Sequence, residues 1–430
     1  MKERIEIKPA GNISAAIVLP GSKSETIRAL ICAALAEGES LIENALLCGD
    51  TLAVADSLCR LGVDVRANEQ GGLFNVEGCS SRIPARAACL DLKGCASGMR
   101  FLASVSALGR GQFHFIGDET LSRRPLLVPL DNEQAGTWIL FHERNGFLPF
   151  TVVAHGLDYI DLSLDCGKSS QALSSLLMAA PCAACGARIK TTGGIASAPY
   201  VDMTLKVMRE FGVNVAAVKP GDSITRFDVS GGGKYIGRKY RVEGDASVAA
   251  YFLAAAAITG GSVRVEGCGA GSVQADAAFA DILGRMGCSV EKGEDSITVT
   301  GPGELHAIDE DFFLMPDSAP TFAAVASFAD GVSTMTGVGN LSLKESNRID
   351  SIKKGLTSLG VEVETGDDYI RIKPGRLHGG TVDPRGDHRI AMSCALVGLK
   401  VPGVVILNPA CVGKSLPKFF NYLKSLTNIR

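Results

Sequence analysis

Stretches that are apolar at almost every position alternate along the chain with shorter, β-branched ones. Leu173 to Ala180 and Val248 to Ile258 are nearly all apolar, which predicts helices buried on all sides. Each such stretch belongs to a phrase that recurs. The phrase runs apolar helix, glycine turn, β-branched strand such as Ser40-Leu41-Ile42-Glu43-Asn44, polar loop, and an amphipathic helix ending like Leu61-Gly62-Val63, before further strands. The helices are anchored near Arg28, Arg100, Ser175, Ser247, Thr321 and Arg389, at spacings of 72, 75, 72, 74 and 68 residues. Each copy reads as β-α-β-α-β-β. Gly38, Gly109, Gly186, Gly260 and Gly331 follow the apolar helices and are expected as left-handed C-caps. Copy two departs from the pattern. After Arg124-Pro125 its amphipathic helix is interrupted by Pro129, Asp131, Asn132 and Gly136, and Trp138 to Arg144 reads as strand.

Six copies exceed what one core holds, so they are expected as two α/β lobes with three copies in each. One lobe spans 20–241, and the other joins 1–19 to 242–430. The opening segment, Arg4 to Leu19, is read as a single strand. The 50 glycines in 430 residues, about twelve per cent against a usual ~7%, fit the many turns that such repeats need. Net charge is −3, which leaves no bulk basic footprint for nucleic acid. The thirteen cysteines are scattered, several of them inside apolar helices, as buried thiols in a reducing cytoplasm would be. Cys182 and Cys185 form a tight pair with no second pair or histidine nearby, so packing is the expected role. The opening Met1–Glu6 has no apolar core of a secretory signal, and no apolar run approaches the ~18 residues of a membrane span.

Charge is concentrated in selected loops instead. Leu19-Pro20-Gly21-Ser22-Lys23-Ser24 places a Gly-Ser-Lys-Ser turn immediately before an apolar helix that carries Arg28. Turn amides, a helix N-terminus, two hydroxyls and two cations suit an anion. The glycine spacing is not that of a P-loop. Lys168-Ser169-Ser170-Gln171 and Asp387-His388-Arg389 open further buried helices, and Lys344-Glu345-Ser346-Asn347-Arg348 packs two cations around a carboxylate. Serine caps and i,i+4 ion pairs account for any one of these loops. Their recurrence at strand-to-helix junctions of several copies points to anion binding.

These loops, together with Gly117-Asp118-Glu119 through Arg124-Pro125, Ser197-Ala198-Pro199-Tyr200-Val201-Asp202, Val242 to Ser247, Pro316-Asp317 and Cys411 to Lys414, resemble the EPSP synthase family in order along nearly the whole chain. The resemblance implies a two-lobed inside-out α/β barrel with three β-α-β-α-β-β units per lobe. It also implies transfer of the enolpyruvyl group of phosphoenolpyruvate to the 5-hydroxyl of shikimate 3-phosphate. By the same resemblance the catalytic residues are Asp317, Glu345 and Lys23. Shikimate 3-phosphate would meet Lys23, Ser24, Arg28, Ser169, Ser170, Gln171, Ser197, Tyr200, Asp317, Asn340 and Lys344. Phosphoenolpyruvate would meet Lys23, Ala96, Arg100, Arg124, Gln171, Glu345, Arg348, Arg389 and Lys414. The implied partners are these small molecules acting on a monomer, with no cofactor, metal, nucleic acid or membrane.

One motif departs from the family. Where Gly-Asn-Ala-Gly-Thr is usual, this chain has Lys93-Gly94-Cys95-Ala96-Ser97, which adds a methyl at Ala96 and is expected to weaken glyphosate inhibition. Ser342 stands where a basic residue is usual. The related UDP-N-acetylglucosamine transferases would place a reactive cysteine before Arg124, and no cysteine lies between Cys95 and Cys166.

Overall fold

A computed structural model describes residues 3–130, 136–218 and 225–427. The fold is mixed α/β and divides into two compact units, Gly21–Glu243 and Met1–Pro20 with Gly244–Arg430. Each unit has its own hydrophobic core.

Five four-stranded sheets share one plan. In the second copy the order is Ala87–Asp91, Arg110–Ile116, Phe150–His155, Thr137–Phe141, with the first pair parallel and the others antiparallel. A parallel first pair needs a crossover, which the apolar helix supplies in three of these sheets; in the other two the partners are distant in sequence, Glu39–Glu43 with Lys239–Arg241 and Ser14–Val18 with Ser262–Glu266. The apolar helices are Lys23–Leu35, Ala96–Ala107, Gln171–Ala179, Ala246–Thr259, Ala319–Ala326 and His388–Val397, each within a few residues of the anchors read from sequence. Burial explains their composition. Every described side chain of Ala246–Thr259 except Ser247 is buried, so the helix has no face to give to water.

Three expectations are corrected. Arg4 to Leu19 is two strands, not one: Arg4–Ile7 pairs with Val404–Leu407, and Ser14–Val18 pairs with Ser262–Glu266. The break falls at Pro9, Gly11 and Asn12, which are turn formers. Both strands belong to the unit containing Gly244–Arg430. The sixth copy is a three-stranded sheet, in which Arg4–Ile7 stands beside Val404–Leu407 where the other copies place a hairpin. Of the five expected glycines only Gly260 is a left-handed C-cap, at φ 72°; Gly38 and Gly186 are left-handed, at 85° and 78°, but lie beyond helix ends capped by Ala36 and Ala180, and Gly109 and Gly331 are not left-handed. At Gly109 the preceding Leu108 is right-handed and closes the helix by bonding back to Val105 and Ser106. The site is crowded, because a Cβ would lie 3.0 Å from the Phe113 ring, which would have to shift by a few tenths of an ångström.

Among the described residues between Arg110–Ile116 and Thr137–Phe141, only Glu119–Ser122 is helical, and Thr137–Phe141 is a strand. Asp131 and Asn132 lie outside the described residues. All thirteen cysteines are free thiols. Cys182 accepts from the Ser81 hydroxyl at 2.9 Å, as packing would have it, but Cys185 is exposed. No helix among the described residues is long and apolar enough to cross a membrane.

Candidate active site

In the unit Gly21–Glu243 the Gly21-Ser22-Lys23-Ser24 turn is built by one close contact. A Cβ on Gly21 would lie 1.7 Å from the Asn44 carbonyl oxygen, so only glycine lets the chain enter the Lys23–Leu35 helix here. Ser22 caps that helix, accepting from the Glu25 amide at 3.4 Å. Lys23, the next residue, reaches Asp50 on the neighbouring helix at 3.0 Å.

One turn later Arg28 is 3% exposed. Its Nε donates to Thr204 at 2.7 Å, Nη1 to the Ser24 carbonyl at 2.9 Å and Nη2 to the Tyr200 carbonyl at 3.2 Å. Its guanidinium also lies over the Phe101 and Tyr200 rings. Burial pushes its pKa down to about 10, with Tyr200, Cys32 and Glu25 opposing, so it stays a cation at neutral pH. Arg28, Ser24 and Tyr200 are thereby brought together.

Arg100, Gln171 and Ser97 form a second cluster. Arg100 Nε donates to the Leu126 carbonyl at 3.0 Å and Nη2 to the Pro125 carbonyl at 2.5 Å, while Nη1 donates to Gln171 Oε1. Gln171 Nε2 donates to Ser97 at 3.3 Å. Arg124 is 9% exposed beside Pro125. The serines at the start of the Gln171–Ala179 helix are placed by their neighbours: Ser169 accepts from the Gln171 amide at 3.3 Å, and Ser170 donates to the Ser197 carbonyl at 3.4 Å. Ser197 has a φ of 55°, a left-handed conformation unusual for serine. Ala96 is buried as the first residue of its helix, behind the Cys95 cap. Lys93 has a φ of 51°, a left-handed conformation that glycine adopts without strain.

In the other unit the cations and carboxylates form one continuous network. Asp317 Oδ1 takes Arg348 Nη1 at 2.9 Å and Lys344 Nζ at 3.4 Å, and Oδ2 takes Arg389 Nη2 at 2.8 Å. Glu345 takes Arg348 Nη2 at 2.6 Å and Lys414 Nζ at 3.4 Å. Arg348 is 1% exposed, and its Nε donates to Asp387 at 2.9 Å. Burial pushes the Asp317 carboxyl up, but Arg389, Lys344 and Arg348 outweigh it and hold the group well below the usual carboxylate range. Asn340 Oδ1 is buried without a hydrogen-bond partner. Ser342 is exposed and bonds only locally, to the Gly339 carbonyl at 2.8 Å.

Sequence reasoning missed the residues that anchor these groups: Asp50 under Lys23, Thr204 and Phe101 around Arg28, and Tyr251, Ser247 and Asp276 behind Arg389. Asp387 was noticed only as opening a helix. A lone acid within Ala275-Asp276-Ala277-Ala278 was the one available sign of a buried carboxylate.

The family described as EPSP synthase (3-phosphoshikimate 1-carboxyvinyltransferase) matches residues 7–423. The chain is 38% identical over 423 residues to a 3-phosphoshikimate 1-carboxyvinyltransferase of Nostoc punctiforme, covering 97% of this chain and 98% of that one. It is 39% identical over 428 residues to its namesake in a Sulfurovum species, covering 99% of each. Its fold is similar to that of the solved EPSP synthase from Acinetobacter baumannii, with a TM-score of 0.79 at 26% identity over 99% of this chain and 98% of that one. The enolpyruvyl transferase NikO from Streptomyces tendae shares the fold, with a TM-score of 0.73 at 18% identity over 99% and 98% of the two chains. With matches that run essentially end to end, the chain belongs to the EPSP synthase family.

Proposed function

We propose that this chain transfers the enolpyruvyl group of phosphoenolpyruvate to the 5-hydroxyl of shikimate 3-phosphate, releasing phosphate. The observation that carries the reading is the network of Lys344, Glu345, Arg348, Arg389 and Lys414 around Asp317, where cations outnumber the carboxylates fit for proton transfer. Arginine forks suit phosphate and carboxylate alike. Both substrates are phosphorylated carboxylates, so they compete for the same N–H groups that Asp317 and Glu345 now hold.

That competition gives the carboxylates their chemistry. Fully paired, Asp317 is a weak base, because its cations stabilise the ionised form. When phosphoenolpyruvate takes Arg348 and Arg389, and the phosphate of shikimate 3-phosphate takes Lys344, the basicity of Asp317 rises. Asp317 then accepts the 5-hydroxyl proton as that oxygen attacks the central carbon of phosphoenolpyruvate. Glu345 delivers a proton to the methylene carbon, and the cations stabilise the tetrahedral adduct. In the second step Glu345, deprotonated by the first, takes back a methyl proton as the carbon–oxygen bond to phosphate breaks; the proton held by Asp317 passes to the departing phosphate, and the enol ether remains. Lys23 is a third proton carrier.

In the unit Gly21–Glu243 the reading gives Arg28 and Ser24 to the shikimate carboxylate. Ser169, Ser170 and Ser197 go to its phosphate, with Gln171 and Tyr200 against the ring. Arg100 and Arg124 go to phosphoenolpyruvate, beside Ala96. Asn340 of the other unit offers its unpartnered oxygen to a substrate hydroxyl. The enzyme is proposed to act as a cytoplasmic monomer, a setting in which free thiols persist.

The test is phosphate release by purified protein. It should require shikimate 3-phosphate as well as phosphoenolpyruvate, and it should survive prior treatment with a chelator. Release that ignores shikimate 3-phosphate, or that returns only when a divalent ion is restored, overturns the reading.

A further inference from the structure

The Ala275–Ala278 turn carries a carboxylate that the proposed reaction does not use. Asp276 is 5% exposed, and both of its oxygens are taken by serine hydroxyls. Ser247 Oγ donates to Oδ2, and Ser318 Oγ donates to Oδ1 at 2.5 Å. An ionised carboxylate can only accept, so it fixes the direction of both hydroxyl protons. Direction matters on the far side. With its proton committed to Asp276, Ser247 keeps its lone pairs for Arg389, whose Nη2 donates to it at 3.4 Å. Ser318 directly follows Asp317, and Asp317 takes the same Arg389 Nη2 at 2.8 Å. The contacts therefore close a ring: Asp276 to Ser247, to Arg389, to Asp317, and back through Ser318.

We infer that Asp276 is a positioning residue that holds the Arg389–Asp317 pair in register through Ser247 and Ser318. The inference rests on the proposed reaction for its consequence in turnover, and on the ring alone for its structural content. The Tyr251 hydroxyl also braces Arg389, accepting from Nη1 at 3.4 Å. The guanidinium is thus held on one side by Tyr251 and on the other by a serine whose rotor Asp276 sets.

Protonation reverses the arrangement. Burial pushes the Asp276 carboxyl up to about 6; Arg389 opposes this, Asp317 adds to it, and the hydrogen bonds from Ser247 and Ser318 oppose it. The charged groups facing it are Arg389 from the His388–Val397 helix and Asp317 from the segment entering the Ala319–Ala326 helix. The Ala246–Thr259 helix contributes Ser247, and the adjoining Phe279–Arg285 helix carries its charges, Asp281 and Arg285, exposed. As pH falls through about 6 the carboxyl gains an O–H donor, and one serine must turn to accept it. An asparagine presents the same mixture of donor and acceptor at every pH.

The experiment compares wild type, Asp276→Asn and Ser247→Ala in phosphate-release kinetics across pH, with a crystal structure of the asparagine variant. In Asp276→Asn, kcat/KM for phosphoenolpyruvate should fall ~10-fold or more at neutral pH, as loss of alignment predicts, while KM for shikimate 3-phosphate stays within about twofold. The acid limb near pH 6 in wild type should flatten in the variant, and adding Ser247→Ala should cost little more. Where Asp276→Asn fails to fold, Ser247→Ala carries the same expectation. A wild-type pH profile and kcat/KM in the variant, beside an active wild type, overturns the inference while leaving the proposed reaction standing. An inactive wild type overturns that reaction instead. The crystal structure then decides the inference alone: Arg389 and Asp317 drawn out of hydrogen-bond range supports it, and an unchanged contact refutes it.

Discussion

Replacing Asp387 by asparagine removes one negative charge from the most buried cation of the network and leaves a side chain of the same shape. Asp387 is fully buried. It accepts from Arg348 Nε at 2.9 Å, from Ser346 at 3.1 Å and from the Arg389 amide at 2.9 Å. The last bond caps the His388–Val397 helix, and asparagine caps about as well as aspartate, so the substitution isolates the ion pair. Breaking a buried pair typically costs 3–5 kcal/mol, and the lower end applies here because Arg348 keeps Asp317 and Glu345, so ~3 kcal/mol is expected. In a folding unit of about 200 residues each kcal/mol moves Tm by about 2–4 °C, which gives a fall of roughly 6–12 °C. Asp387→Ala should lose the cap as well, for about 1 kcal/mol more. Differential scanning calorimetry resolves both steps, read on the transition of the unit that contains Asp387. A Tm for Asp387→Asn within about 2 °C of wild type, or equal values for the two variants, refutes this accounting of the buried charge.

Asp317→Asn and Glu345→Gln should each cut kcat by ~10²-fold or more in the phosphate-release assay, and near-normal turnover in either removes that residue from proton transfer. Glu25 is buried with one carboxyl oxygen unpartnered; burial raises its pKa against the opposing pull of Lys206 and the Tyr240 hydrogen bond, and Glu243 raises it further. Between its ordinary value of about 4.3 and the raised one, the folded chain holds more protons than the unfolded chain. Its contribution to stability therefore falls as pH rises through that window, and Glu25→Gln should flatten the decline in urea titrations taken at several pH values. Ala96→Gly should strengthen glyphosate inhibition by roughly 10–200-fold, the usual worth of one methyl, and equal inhibition of both proteins shows that the methyl is no gate.

The parts of this molecule that were legible in the sequence are those whose physics is local. A helix such as Ala246–Thr259 is apolar on every face and opens on Asp245, whose side chain accepts from the Val248 amide at 3.0 Å, so pattern and cap agree. The cationic loops were visible because Lys23 and Arg348 open helices, and Lys344 stands four residues before Arg348, among glycine, serine and asparagine. What escaped is non-local. Asp50 meets Lys23 across 27 positions, Asp387 meets Arg348 across 39 and Asp276 meets Ser318 across 42, spacings that no periodicity records. The sixth sheet was misjudged for the same reason, since the strand beside Val404–Leu407 comes from Arg4–Ile7 at the other end of the chain. At Gly109 and Gly331 a glycine after a helix was read as a left-handed cap, but at Gly109 the crowding is set by Phe113 four residues on.

The most direct measurement is identification of the product by nuclear magnetic resonance after incubating the purified protein with phosphoenolpyruvate and either shikimate 3-phosphate or UDP-N-acetylglucosamine. The account predicts an enol ether on the 5-hydroxyl of shikimate 3-phosphate, with one phosphate released for each ether formed, and no ether on the nucleotide sugar. An enol ether on the nucleotide sugar, or phosphoenolpyruvate recovered unchanged beside shikimate 3-phosphate, would contradict it.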